Sequence, residues 1–141
     1  MFKHILLAFD GSASSRKALD VALEMAQVFG ARVSLLSVEE NVPHFPADIG
    51  EVKEEKERLN DYFGGLQREA RDAAKMQGMD FDRADILVGH VAQTIIHHAQ
   101  AIQSDLIVMG HSGRSGVWGG FLGTTTEKVS RHAHCSILIV R

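Results

Sequence analysis

The sequence predicts an α/β domain, a doubly wound parallel β-sheet of five strands covered by helices on both faces. Short runs that are apolar at nearly every position alternate with longer segments in which apolar residues recur at helical spacing. Such continuous apolar runs are typical of strands buried on both faces. Regular alternation of this kind favours a parallel sheet with right-handed crossovers, which places the carboxyl ends of its strands along one edge.

The first 40 residues predict a strand, a helix and a second strand. The apolar run 5–9 is followed by Asp10-Gly11-Ser12, a turn that can also cap a helix. Apolar residues then recur at helical spacing up to Phe29, and Gly30 marks the helix end because glycine adopts the left-handed conformation easily. Residues 32–38 form the second strand.

The remaining chain continues the alternation. A loop with Pro43 and Pro46 leads into a charged helix over residues 51–78, whose charges are typical of a solvated face. Gly64-Gly65 inside this helix costs about 1 kcal/mol per glycine relative to alanine, which close packing or a kink would explain. Further strands are predicted at 84–88, 105–109 and 137–140, and further helices at 91–102 and 124–133.

Composition indicates one globular domain in a reducing compartment. The 141 residues are 45% hydrophobic and 23% charged, which argues against a disordered chain, and the net charge of −3 argues against a general nucleic-acid binder. Cys135 is the single cysteine, so no intrachain disulfide can form. Because no targeting segment and no apolar run of about 20 residues occurs, we expect a cytoplasmic protein with no membrane partner.

The loop after the fourth strand carries the main functional signal. Residues 110–123 contain six of the chain's 13 glycines, which let a ligand approach the backbone closely. The helix that begins at Gly123-Thr124-Thr125 presents free backbone N–H groups, and three threonine hydroxyls there add donors. Ligands of doubly wound sheets bind where the strand order reverses. We therefore favour a phosphate-binding loop over a flexible surface loop.

Several other motifs are absent. Arg114 stands where the nucleophile elbow G-x-S-x-G would need its second glycine, and no Gly-Lys pair exists for a P-loop. Gly11 is alone where a dinucleotide fingerprint would have several glycines.

The spacing Gly110-x-x-Gly113, nine residues, then Gly123-Thr124 resembles the nucleotide-binding signature of the universal stress protein family, in its ATP-binding branch. The resemblance covers the whole chain, including the opening strand with Asp10 and the closing strand 137–140. It implies one domain over residues 1–141, with the strand order 3-2-1-4-5. The pair His111-Ser112 between the first two glycines departs from the usual family order.

The resemblance also implies a site for ATP. Asp10 would lie beside the ribose and adenine, where a carboxylate accepts hydrogen bonds from ribose hydroxyls. Ala8 and Val38 would contact adenine, Met109 and Gly110 would form the ribose-side wall, and the remaining residues would contact phosphate, Arg114 being either a phosphate contact or solvated. The implied nucleotide-binding residues are Ala8, Asp10, Val38, Met109, Gly110, Gly113, Arg114, Gly123, Thr124 and Thr125.

A metal ion is expected only together with the nucleotide. Eight histidines occur, but no cysteine pair or carboxylate lies beside them at ligand spacing. We expect Mg²⁺ or Mn²⁺ to be held mainly by the phosphates, with the Thr124 hydroxyl as a protein contact.

Two functional classes fit this sequence. One is an ATP-binding regulatory protein of the stress response; the alternative is a slow ATPase or another nucleotide-dependent enzyme of the same fold. An enzyme needs a general base near the phosphates, and Asp10 lies at the sugar end without a second carboxylate. We therefore predict the regulatory protein, with no catalytic residue and at most weak ATP hydrolysis. The regulatory partner, the stress and the roles of His111 and Trp118 stay open.

The last strand predicts a homodimer. Residues 137–140 are all apolar, and the family's strand order places them at the sheet edge, where proteins normally cover or pair an apolar strand. A two-fold partner would present the same strand in antiparallel pairing. The alternative is a monomer whose last strand is masked by the preceding helix and the proline loop. The residues expected in the interface are Ser136, Ile137, Leu138, Ile139 and Val140.

Overall fold

A five-stranded parallel sheet with helices on both faces forms the centre of the protein. The computed structural model describes residues 1–40, 49–112 and 123–141. The strand order is β3-β2-β1-β4-β5 and every pairing is parallel, which confirms the predicted fold class and strand order. The elements are β1 (His4–Ala8), α1 (Ala13–Phe29), β2 (Arg32–Glu40), α2 (Ile49–Met76), β3 (Arg83–Gly89), α3 (Val91–Ala101), β4 (Leu106–Gly110), α4 (Thr124–His132) and β5 (Ser136–Val140).

The apolar strands bury side chains on both faces of the sheet. In β1, Ile5 and Leu7 face the core beneath α1 and α2, whereas Leu6 faces the core beneath α3 and α4. All three are fully buried. This two-sided burial explains why the strand sequences are apolar at successive positions instead of alternating.

Capping residues fix the first helix as predicted. The Ser12 side chain accepts a hydrogen bond from the Ser15 N–H at the start of α1. Gly30 ends the helix in the left-handed conformation, with φ of 64°. Both caps satisfy backbone groups that a helix end leaves unpaired.

Strand β2 is longer than its apolar run. The sequence predicts that it ends at residue 38, but its pairing with β3 continues to Glu40, which lies opposite Gly89. The predicted end is therefore wrong, because backbone pairing with β3 extends the strand through two glutamates.

Close packing is not the reason for the two glycines inside α2. Among the residues that the structure describes, a Cβ built on Gly64 would meet nothing within 4 Å, and one on Gly65 would meet only the end of the Arg68 side chain at 3.8 Å. The packing explanation offered from the sequence is therefore wrong.

A buried histidine of α3 lies beside a carboxylate of β3. His98 is 9% exposed, and its Nε2 lies 3.2 Å from Asp85 Oδ2 without hydrogen-bond alignment. Burial lowers the pKa of His98, and the Asp85 carboxylate only partly opposes this shift. The folded state therefore favours the neutral ring.

We predict that the protein loses stability as the pH falls below the ordinary histidine pKa of about 6.5, because the unfolded chain then binds protons that the folded His98 resists. His98→Gln should reduce the loss between pH 7.5 and 5.5, measured as the shift in the urea unfolding midpoint. His97→Gln, its exposed neighbour on α3, is the control and should keep the wild-type shift. Equal pH dependence in both variants would contradict the role of His98.

Candidate functional site

The turn after β1 and the loop after β4 lie side by side at the carboxyl edge of the sheet. Strands β1 and β4 are neighbours, with Leu7 opposite Val108. The Ser14 hydroxyl, in the first turn of α1, donates a hydrogen bond to the Ser112 carbonyl at 2.5 Å. The two loops that the sequence singles out for ligand binding are thus joined directly.

Gly110 allows β4 to approach α1 this closely. A Cβ built on Gly110 would overlap the Ser14 hydroxyl and would lie only 2.7 Å from the Ser14 carbonyl carbon. Real Cβ atoms do not approach other atoms to this distance. Close packing against Ser14 therefore requires a glycine at this position, independently of the predicted ribose-side wall.

The side chain of Asp10 is anchored to the turn that follows β1. Its Oδ1 accepts the Ser12 N–H at 2.9 Å. Gly11 has φ of 82°, and a Cβ there would lie 2.8 Å from the Leu66 side chain of α2. Arg16 of α1 donates to the Gly11 carbonyl and pairs with Glu69 of α2 at 3.0 Å. Contacts from two helices therefore fix the backbone next to Asp10.

Three apolar residues predicted at the adenine and ribose end share one face of the sheet. Ala8 and Val38 pack, partly buried, against the core beneath α3 and α4, and Met109 belongs to that core at 5% exposed. They come from the carboxyl halves of β1, β2 and β4. The fold thus brings together residues that lie about 100 positions apart in the sequence.

The start of α4 is tied to the end of β4 and to β5. The Gly123 N–H donates to the His111 carbonyl at 2.8 Å, and the His111 N–H donates to the Val140 carbonyl at 2.8 Å. A Cβ built on Gly123 would lie 3.1 Å from the His111 carbonyl oxygen. The backbone of His111 therefore connects the amino end of α4, through its carbonyl, with the last residue of β5, through its N–H.

One of the three threonine hydroxyls predicted as phosphate donors has another partner. Thr126 is 2% exposed, and its hydroxyl donates to the Gly110 carbonyl at 3.0 Å. The prediction is wrong for Thr126, because this position of the first helical turn faces the sheet. Thr124 is exposed and Thr125 is half-buried, so the predicted roles of these two remain open.

Sequence reasoning missed Ser14 as a residue that joins the two loops. The signal that could have identified it is a serine hydroxyl in the first turn of a helix that starts at the carboxyl edge of the sheet. Gly113, Arg114 and Trp118 lie outside the described residues, and the contacts predicted for Gly113 and Arg114 stay predictions.

Neither a protein-only metal centre nor a membrane span is found in the described part of the chain. Among residues 1–40, 49–112 and 123–141, no three His, Cys, Asp or Glu side chains are grouped to hold a metal ion. Within the same ranges, every helix is too short or too polar to cross a bilayer.

Comparison with known proteins decides the family. The chain matches the sequence profile of the universal stress protein family over residues 1–141. It belongs to this family. A universal stress protein of Thermus aquaticus is 37% identical over 141 residues, and the alignment covers 100% of both chains.

Solved structures agree with this membership. The universal stress protein UspA from Lactobacillus plantarum superimposes with a TM-score of 0.89 at 25% identity, covering 99% of this chain and 97% of the other. A universal stress protein solved in complex with cAMP gives a TM-score of 0.76 at 25% identity, covering 99% and 97%. The family resemblance is therefore confirmed, while the ATP-binding branch stays a prediction.

We predict that Gly110→Ala destabilises this universal stress protein by about 1–3 kcal/mol, the usual effect of overpacking, because the new methyl group overlaps Ser14. Urea unfolding measures the change. Gly64→Ala is the matched control and should stabilise, since the added methyl group has open space and improves helix propensity. A Gly110→Ala variant as stable as the wild type would contradict the packing reason.

Proposed function

We propose that this universal stress protein binds ATP at the carboxyl edge of the sheet, between β1 and β4, and acts as a regulatory protein of the stress response. The supporting observation is the convergence of Ala8, Val38 and Met109 on one sheet face, at the edge where Asp10 is anchored and α4 begins. The related protein solved with cAMP supports an adenine nucleotide as the ligand.

Each part of the nucleotide meets a suitable group in this proposal. Adenine lies against the apolar Ala8 and Val38, and the ribose hydroxyls donate to the Asp10 carboxylate. The phosphates lie at the amino end of α4, where unpaired N–H groups and the helix dipole favour negative charge. The Gly123 N–H already donates to His111, so the N–H groups of Thr124 and Thr125 are the proposed phosphate donors in the described chain.

The glycine spacing supports the phosphate end of the proposal. Only 3.1 Å separates a Cβ built on Gly123 from the His111 carbonyl oxygen, so a side chain there would crowd the start of α4. Gly113 and Arg114 would complete the phosphate contacts. A Mg²⁺ or Mn²⁺ ion would be held chiefly by the phosphates, with the exposed Thr124 hydroxyl as the protein ligand.

We propose that ATP acts through binding and not through turnover. Asp10 accepts the Ser12 N–H at 2.9 Å, and in this proposal its carboxylate binds the ribose hydroxyls and not the phosphates. General-base catalysis needs a group within hydrogen-bond reach of the attacking water. Mass spectrometry of the small molecule released from the purified protein tests the ligand directly, and a ligand without adenine would contradict the proposal.

The charge of Asp10 can be tested separately from its structural role. Asp10→Asn keeps an oxygen that accepts the Ser12 N–H but removes the negative charge. We expect it to weaken ATP binding by about 1.5–3 kcal/mol, the range for hydrogen bonds to charged groups, with little change in stability. Isothermal titration calorimetry measures the affinity, and Asp20→Asn on the exposed face of α1 is the control.

Two outcomes of this experiment would be decisive against the proposal. Unchanged ATP affinity in Asp10→Asn would remove this carboxylate from the site. A variant that binds ATP normally but loses all hydrolysis would make Asp10 catalytic and would favour the ATPase alternative.

We further propose that the protein is a homodimer paired through β5. This strand lies at the edge of the sheet, and Ile137, Leu138, Ile139 and Val140 are only partly buried within one chain. Antiparallel pairing with a second copy would cover them and would pair the outer backbone edge of β5, which no strand of the described chain pairs.

Ile139→Lys should convert the dimer into a monomer, because two-fold pairing brings the new charges close together. Leu138 is less suitable for this test, since it packs against the core beneath α1. Val88→Lys is the control, on the opposite edge strand and already 58% exposed. Light scattering at low micromolar concentration should give twice the 15.5 kDa chain mass for the wild type and the control. A single-chain mass for the wild type would contradict the dimer.

A further inference from the structure

The two halves of α2 are held to the sheet unequally. After Gly65, the helix buries Gln67, Ala70 and Ala74. The Gln67 amide donates to the Asp85 carbonyl at 2.8 Å, and Glu69 pairs with Arg16 of α1 at 3.0 Å. Packing and polar contacts with several elements therefore anchor the second half.

The first half of α2 is charged and mostly exposed. We call residues 50–63 the arm. Within the arm only Phe63 is buried, and eight of the 14 residues are charged. One of the 14 arm residues is buried, compared with three of the 11 residues 66–76, so fewer positions of the arm are packed against the rest of the protein. The buried Phe63 is the main apolar contact that holds the arm.

The two halves join at a glycine pair that packing does not require. Added methyl groups at Gly64 and Gly65 would meet open space or the end of the Arg68 side chain. Each glycine weakens the helix by about 1 kcal/mol relative to alanine. Helices bend at such positions, because glycine restricts the backbone least.

A buried carboxylate of β2 lies within electrostatic reach of the arm. Glu39 of β2 is 5% exposed, and its Oε1 has no hydrogen-bond partner within the described part of the chain. Burial raises the pKa of Glu39, and Lys56 of the arm is the cation that opposes this shift. Because a buried carboxylate oxygen without a partner is unfavourable, Glu39 Oε1 gives the closed arm an energetic penalty that opening would relieve.

We propose that the arm opens as a unit about Gly64 and Gly65 and thereby exposes the Glu39 carboxylate to solvent. The second half of α2 stays in place during this motion. Once it has separated from the rest of the protein, the arm is too short to remain a stable helix, so it unwinds and its amides exchange while the core stays folded. The opening does not depend on the proposed nucleotide site.

Hydrogen exchange followed by mass spectrometry tests the proposal on the full chain. We expect the amides of residues 50–63 to exchange faster than those of residues 66–76. The double variant Gly64→Ala/Gly65→Ala should slow exchange of the arm about 10- to 30-fold, the factor that corresponds to roughly 2 kcal/mol of helix propensity. Glu39→Gln should also slow it, because the neutral amide is easier to bury.

Two controls separate arm opening from a general gain in stability. Asp72→Ala improves helix propensity at an exposed position of the anchored half, and Glu40→Gln changes the exposed neighbour of Glu39. Both should leave exchange of the arm within about twofold of the wild type. Equal exchange rates in the two halves of α2, or equal slowing by Asp72→Ala and by the glycine double variant, would overturn the proposal. If exchange of the arm in Glu39→Gln is as fast as in the wild type, the Glu39 carboxylate has no part in the opening.

Discussion

The missing side chain at Gly110 is the constraint on which the carboxyl edge of the sheet depends. It lets the end of β4 lie against the first turn of α1, closer than any other residue would allow. The hydroxyls of Ser14 and Thr126 can then reach the carbonyls of Ser112 and Gly110. Two helices from different parts of the chain thus begin beside the same short stretch of backbone.

Several groups that build this edge are not among those proposed to bind the ligand, whereas Gly110 belongs to both sets. Ser14, Thr126 and the His111 peptide are engaged with other parts of the protein. The side chains of Thr124, Thr125, Ala8 and Val38 take no part in those hydrogen bonds. Such a division holds a site in shape before a ligand arrives, which lowers the entropy lost on binding.

The sequence was informative where a pattern reflects one dominant force. Strands apolar at successive positions predict burial on both faces, and the alternation with helices then fixes a parallel sheet. Strand order and the nucleotide-binding residues followed from the family resemblance, because spacing alone does not say which strands are neighbours.

Other features depend on tertiary contacts that a linear pattern does not contain. Glu39 and Glu40 read as the start of a loop, yet backbone pairing with β3 keeps both in β2. Thr124, Thr125 and Thr126 look equivalent in the sequence, and only the packing of α4 turns Thr126 towards Gly110. The glycine pair in α2 suggested close packing or a kink, and within the described part of the chain the space beside Gly64 is open, which excludes the packing explanation.

The pairing of β1 with β4 also has a consequence for folding kinetics. β1 and β2 are joined by one helix, so they can associate early. Ile5 of β1, in contrast, pairs with Leu106 of β4, which lies about 100 positions further along the chain. Contacts between residues so distant along a chain form slowly, because closing the long loop costs entropy first. We therefore expect the edge that holds Asp10 and Gly110 to be completed late in folding. A molecule that binds at this edge would stabilise only the completely folded chain, so binding there would indicate that folding is complete.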